Sequence, residues 1–198
     1  MKIITVLGSP RKKGKTNEVL GFFEESMAAL GHDIERINLH EHHIDGCIGC
    51  YSCMKNQSEP GCILNDYAIE FFKKFSEADI IVYSSPIYCF DMTAQLKALI
   101  DRHFCLLNTN ITDGKRTAFI TTCGDNAQDN ADLAGEVFRR CFDGEHGGKS
   151  NCNMVGYYVV DRSNSTDFSE RARVIADKLV FDIINFMPNK KAVYSTTE

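Results

Sequence analysis

Gly8-Ser9-Pro10-Arg11-Lys12-Lys13-Gly14-Lys15-Thr16-Asn17 combines small, hydroxylated and basic residues in one short turn. An apolar run, Ile3, Ile4, Val6 and Leu7, precedes it and reads as a buried strand. Val19, Leu20, Phe23, Met27 and Leu30 then recur at helical steps. A strand that breaks into a turn and restarts as a helix presents free backbone N–H groups to an anion. The helix dipole adds about half a positive charge there. Ser9 and Thr16 can donate hydroxyl hydrogen bonds, and Arg11, Lys12, Lys13 and Lys15 bring positive charge to a chain whose net charge is −5. The chemistry this predicts is phosphate binding. It is not a nucleoside-triphosphate P-loop. Five residues separate Gly8 from Gly14 where that motif has four, and the next buried strand, Ile80–Tyr83, ends in Ser84-Ser85-Pro86 rather than a magnesium-binding Asp. The Gly-x-Gly-x-x-Gly dinucleotide fingerprint is also absent.

A second chemical cluster is Cys47-x-x-Cys50-x-x-Cys53, followed by Cys62 after a gap of eight residues. Two successive two-residue gaps let three thiolates converge, and Gly46 and Gly49 permit the turns. Bacterial ferredoxins open with this spacing around a [4Fe–4S] cluster. Tetrahedral zinc suits four thiolates as well, and a reduced, metal-free cysteine cap is the third reading. In a reducing cytoplasm disulfides are the weaker reading, and an odd total of nine cysteines argues against a complete disulfide framework. Cys89, Cys105, Cys141 and Cys152 lack ligand spacing and read as structural. His40, His42 and His43 read as exposed loop residues.

With 198 residues, 43% of them hydrophobic and 25% charged, the chain reads as one globular domain with an ample core. Mild acidity argues against a nucleic-acid surface. No apolar stretch approaches the ~20 residues of a membrane span, and no signal-peptide pattern opens the chain, so a cytoplasmic protein is expected.

Strand-like and helical patterns alternate. Asp33–Leu39 alternates as an edge strand, and residues 40–65 form a long insertion poor in helix. Helices are expected over about 66–77, 93–107, 126–142 and 168–187, and strands over 80–83, 117–121 and 154–160. Residues 188–198 read as a loose polar tail. Five strands separated by helices imply an α/β, doubly wound, three-layer sandwich of residues 1–187; strand order 2-1-3-4-5 is expected. Ligands in such sheets lie beyond the carboxyl ends of the strands. That rule gathers the first turn, Ser84–Met92 and Thr121–Asp125.

Three elements resemble the NAD(P)H-dependent FMN reductase group of the flavodoxin-like superfamily. They are Gly8-Ser9-x-Arg11-x-x-Gly14-x-Thr16-Asn17; Ser85-Pro86-Ile87-Tyr88 with Leu96-Lys97 and Asp101-Arg102; and Thr122-Cys123-Gly124. The cysteine spacing is similar to that of iron–sulfur flavoproteins, although the last gap is longer here. The resemblance implies FMN, with its phosphate on Ser9, Arg11, Gly14, Lys15, Thr16 and Asn17. Pro86, Ile87, Tyr88, Cys89 and Phe90 would border the isoalloxazine ring, and Thr122, Cys123, Gly124 and Asp125 would close the other side. Cys47, Cys50, Cys53 and Cys62 would be the metal ligands. It also implies reduced nicotinamide as electron donor, a small acceptor or a redox partner protein, and a homodimer. No acid–base pair is assigned, because the cofactor carries the chemistry. The other reading is an electron carrier with no substrate of its own.

Overall fold

A computed structural model describes residues 1–55, 60–107, 109–124, 126–144, 150–162, 167–187 and 193–196. A parallel sheet forms its middle layer. Its strands are β1 (Lys2–Leu7), β2 (Asp33–Asn38), β3 (Ile80–Pro86), β4 (Arg116–Thr122), β5 (Asn153–Val160) and β6 (Val193–Thr196), in the order β2-β1-β3-β4-β5-β6. Every pairing is parallel. The helices are α1 (Lys15–Ala29), α2 (Tyr67–Glu77), α3 (Ala94–Arg102), α4 (Ala127–Asn130), α5 (Asp132–Phe142) and α6 (Phe168–Ile184).

Because successive strand residues face opposite sides of a sheet, each central strand feeds two cores. Ile4, Val6, Ile81, Tyr83 and Phe119 pack against α2, α3 and α5. Ile3, Leu7, Ile80, Val82 and Ile120 pack against α1 and α6. Burial on both faces explains why these strands read as continuous apolar runs. Among the described residues, no helix is long and apolar enough to cross a membrane.

Four expectations need correction. The sheet has six strands, not five: residues 193–196, within the expected loose tail, pair with Gly156–Val159 of β5. An uncovered β5 edge offers a row of free backbone groups, and Val-Tyr-Ser-Thr suits a strand. The expected helix 93–107 ends as α-helix at Arg102 and tightens into a 3₁₀ turn over His103–Leu106. Residues three apart eclipse in that turn, so His103 and Leu106 are buried together, with His103 Nε2 paired to the Tyr83 hydroxyl at 2.9 Å. The expected helix 126–142 breaks at Ala131, whose carbonyl accepts a 2.6 Å hydrogen bond from Tyr157 Oη. The last helix stops at Ile184 rather than at residue 187.

Candidate functional site

The first turn is set by close approach. Gly8 N–H donates to Ser84 O at 2.8 Å, carrying the β1–β3 ladder one residue past the strand. A Cβ at Gly8 would lie 2.9 Å from that same oxygen and 3.0 Å from Leu96 Cβ, so only glycine fits. Gly14 N–H then donates to Arg11 O at 3.1 Å, and the buried Ser9 Oγ accepts from Arg11 N–H at 3.2 Å. Gly14 stands at the start of α1 without a side-chain cap. The first-turn amides of α1 therefore remain free for an anion.

Hydroxyls bind the loops to one another. Thr16 Oγ1 and Thr122 Oγ1 lie 2.7 Å apart and buried, joining the first turn to the end of β4. Thr93 Oγ1 donates to Gly8 O at 2.7 Å while capping α3. Ile87 N–H donates to Thr122 O at 2.9 Å, and Cys123 N–H to Val160 O at 3.2 Å. Together they enclose an open cleft of about 250 Å³. One end is lined by Ser9, Arg11, Gly14, Lys15 and Thr16, and its other walls by Pro86, Ile87 and Tyr88, and by Thr122, Cys123 and Gly124.

The charges are not equivalent. Lys12 pairs with Glu41 at 3.2 Å and Lys15 with Glu18 at 3.0 Å. Arg11, on the cleft wall, has no ion-pair partner among the described residues. Two lining residues escaped sequence reasoning, Arg162 and Phe168. They follow β5, so applying the carboxyl-end rule to a fourth strand would have found them. Lys15 Nζ sits 4.4 Å above the Phe168 ring. Three expected contacts are not among the lining. Asn17 turns its carboxamide oxygen to Arg36, which also pairs with Glu24. Cys89 and Phe90 occupy the tip of a tight turn closed by Tyr88 and Asp91, with left-handed φ of 49° and 68° and solvent-exposed side chains. Asp125 lies outside the described residues.

The insertion brings its four cysteines together. Cys47, Cys50, Cys53 and Cys62 line one pocket of about 20 Å³ beside Arg102 and Phe104. Cys47 and Cys50 are exposed, whereas Cys53 is buried. Hydrogen bonds from Ser52 lower the Cys50 thiol, and burial raises that of Cys53. Cys105, read as merely structural, forms part of the pocket wall. Burial pushes its thiol up to about 12. His42 stacks on Tyr67 and His43 pairs with Asp45 at 3.0 Å; neither lines the pocket. Among the described residues, no three Cys, His, Asp or Glu side chains are disposed as a ready coordination set. The thiols thus share a pocket with Cys47 and Cys50 at its exposed rim.

The doubly wound parallel sheet, with β2-β1-β3-β4-β5 in that order and β6 at its edge, is flavodoxin-like. The chain belongs to the NADPH-dependent FMN reductase family, whose model matches residues 1–134. An iron-sulfur flavoprotein of Methanocaldococcus jannaschii is 38% identical over 102 residues, 52% of this chain and 51% of that protein. One from Archaeoglobus fulgidus is 31% identical over 102 residues, covering 52% and 45%. The chain spans about half the length of these curated relatives. Among solved structures, an NAD(P)H:quinone oxidoreductase from Methanothermobacter marburgensis superposes with a TM-score of 0.70 at 19% identity, covering 96% of this chain and 99% of that one. An FMN-dependent NADH-azoreductase from Bacillus anthracis, in complex with FMN, gives 0.62 at 17% identity, covering 90% and 96%. These two likenesses concern the fold.

Proposed function

We propose that this chain is an NAD(P)H-dependent flavin oxidoreductase that holds FMN in the cleft at the ends of β1, β3 and β4. The single observation that carries this reading is the Arg11 guanidinium, without an ion-pair partner among the described residues and beside an uncapped helix start. Arg11 and Arg162 neutralise the phosphate. Ser9 and Thr16 hydroxyls and the first amides of α1 complete its hydrogen bonds. Pro86, Ile87 and Tyr88 lie along one side of the ring, and Cys123 and Gly124 along the other. When bound, FMN accepts hydride from a reduced nicotinamide and passes electrons onward. The protein contributes binding, orientation and a positive field.

The reading extends to Cys47, Cys50, Cys53 and Cys62 as ligands of a [4Fe–4S] cluster. Its support is their shared pocket, their all-sulfur donor set and the iron-sulfur flavoprotein relatives. Electrons leave to a small acceptor or to a partner protein. A homodimer belongs to the proposal too, since Tyr88 and Phe90 beside the cleft are 43% and 57% exposed. Sedimentation at a single monomer mass rejects it.

Arg11→Ala tests the core of the proposal. Losing a charge-assisted hydrogen bond costs about 1.5–3 kcal/mol, so FMN should bind roughly ten- to a hundredfold more weakly in a fluorescence titration. Unchanged affinity rejects the phosphate assignment. Oxidation of NADH or NADPH by the FMN-loaded protein with a quinone present separates enzyme from carrier; no oxidation of either favours the carrier.

A further inference from the structure

Arg102 closes α3 beneath the cysteine pocket. It is 1% exposed, the largest fully buried side chain among the described residues. Its Nη1 donates to Asp66 Oδ2 at 2.6 Å and to Asp45 O at 3.0 Å, and its Nη2 donates to Leu64 O at 3.2 Å. The guanidinium also reaches the Cys62 thiol. Its Nε is buried without a partner, and Arg102 itself is part of the pocket wall. Asp66 returns the connection by accepting from Asp45 N–H at 2.9 Å and from Ala68 N–H at 3.0 Å, where it caps α2.

These contacts have a topological meaning. Asp45 and Asp66 are 21 residues apart and bracket all four cysteines. Among the described residues, the only regular element between them is a 3₁₀ turn, Ser52–Lys55. A long irregular loop cannot aim four side chains at one point unless its base is fixed, because each loose residue adds conformational entropy. One guanidinium fixes both ends. It also holds its charge, paired with Asp66 and shielded from water, beside the sulfur of Cys62.

We propose that Arg102 is a positioning residue for the thiol-bound group, with two separable effects. It holds the base of the loop so that four sulfurs converge, and its charge favours the reduced form of the group. Reduction adds an electron to an already anionic iron–sulfur–thiolate assembly. A nearby buried cation stabilises the more negative state and raises the potential. This proposal rests on the cluster reading above, so its test must separate the two.

Full-length protein is loaded anaerobically with ferrous iron, sulfide and FMN. Because removing one member of a buried ion pair leaves the other charge uncompensated, two variants are compared: Arg102→Lys, which keeps the charge but not the fork, and the double variant Arg102→Met/Asp66→Asn, which removes both charges and keeps a helix cap. Bound FMN reports folding, since Arg102 and Asp66 do not line the flavin cleft. Both variants should bind several-fold less iron and sulfide. The cluster that does load should keep its midpoint in Arg102→Lys. In the double variant its redox equilibrium should move about tenfold toward the oxidised form, roughly 59 mV for one electron. Wild-type loading with an unmoved midpoint in both variants overturns the proposal. If the wild-type chain itself takes up neither iron nor sulfide, the cluster reading fails, and the charge effect falls with it. The loop effect is then read from the apoprotein: Cys53 and Cys62 should be alkylated several-fold faster in both variants, and equal rates overturn that half.

Discussion

The cleft proposed for flavin and the cysteine pocket are built on opposite principles. The cleft is assembled from the ends of regular elements. Ser9 and Thr16 follow β1, Pro86 ends β3 and Thr122 ends β4; Gly8 and Ile87 N–H groups extend the ladder past the strand ends, and the Thr16 and Thr122 hydroxyls join two of the loops. Such a site is rigid before any ligand arrives, so little ordering cost is charged against binding. Among the described residues, no strand contributes to the lining of the cysteine pocket. Its four sulfurs come from one irregular excursion whose base is tied by Arg102 and Asp66. The first site takes its geometry from the fold. The second takes it from a few side-chain contacts and from whatever its thiolates bind.

The sharpest way to break this contrast is to damage one site and watch the other. A Cβ at Gly8 meets the Ser84 carbonyl oxygen, which is backbone and cannot swing aside. Gly8→Val should therefore cost about 1–3 kcal/mol in overpacking and deform the phosphate turn. FMN recovered with the purified protein should fall about tenfold or more. Iron and sulfide uptake should stay at the wild-type level. Joint loss of both from a folded variant would show that the two sites are a single cooperative unit.

Acid probes the cysteine side from within the core. His103 follows Arg102 directly, packs edge-on against Phe72, Phe75 and Phe142, and is held down to about 3 by burial. Its ordinary value in the unfolded chain is about 6.5. With the folded value depressed, the unfolded chain binds the extra proton, so stability falls as pH drops below 6.5. Between pH 7 and 5 this amounts to about 2 kcal/mol, in a window above the ordinary carboxylate range. Urea midpoints of the apoprotein should show that loss, and His103→Gln should flatten it. An equal slope in the variant would assign the effect elsewhere.

The same contrast explains what was legible beforehand. Strands buried on both faces leave unmistakable apolar runs, so β1, β3, β4 and β5 and the loops at their ends could be read directly. The cysteines were legible from spacing alone. Less legible was whatever depended on a distant partner. Asn17 looks like a phosphate ligand until Arg36 of β2 claims its oxygen. Arg162 sits in a polar stretch with no motif, and only the geometry of β5 brings it to the cleft. β6 has too few residues for a period to emerge; it exists because β5 offers an edge. Arg102 was noticed as part of a motif, but its grip on Asp45, Leu64 and Asp66 is a tertiary fact. Periodicity records which face is buried, not which backbone carbonyl lies across the interface.

The smallest test concerns Thr16 and Thr122, whose hydroxyls meet under the cleft at 2.7 Å. Thr16→Val deletes one neutral hydrogen bond and leaves the buried Thr122 hydroxyl alone, a net loss of about 1 kcal/mol in stability. Removing both hydroxyls in Thr16→Val/Thr122→Val removes the orphan, so most of that stability should return. FMN affinity should not return with it. If Thr16 Oγ1 also serves the phosphate, both variants should bind FMN about fivefold more weakly, the equivalent of ~1 kcal/mol. Chemical denaturation gives the first quantity and flavin titration the second. Recovery of both together in the double variant would make Thr16 a brace between two loops and leave Ser9, Arg11 and the α1 amides to hold the anion.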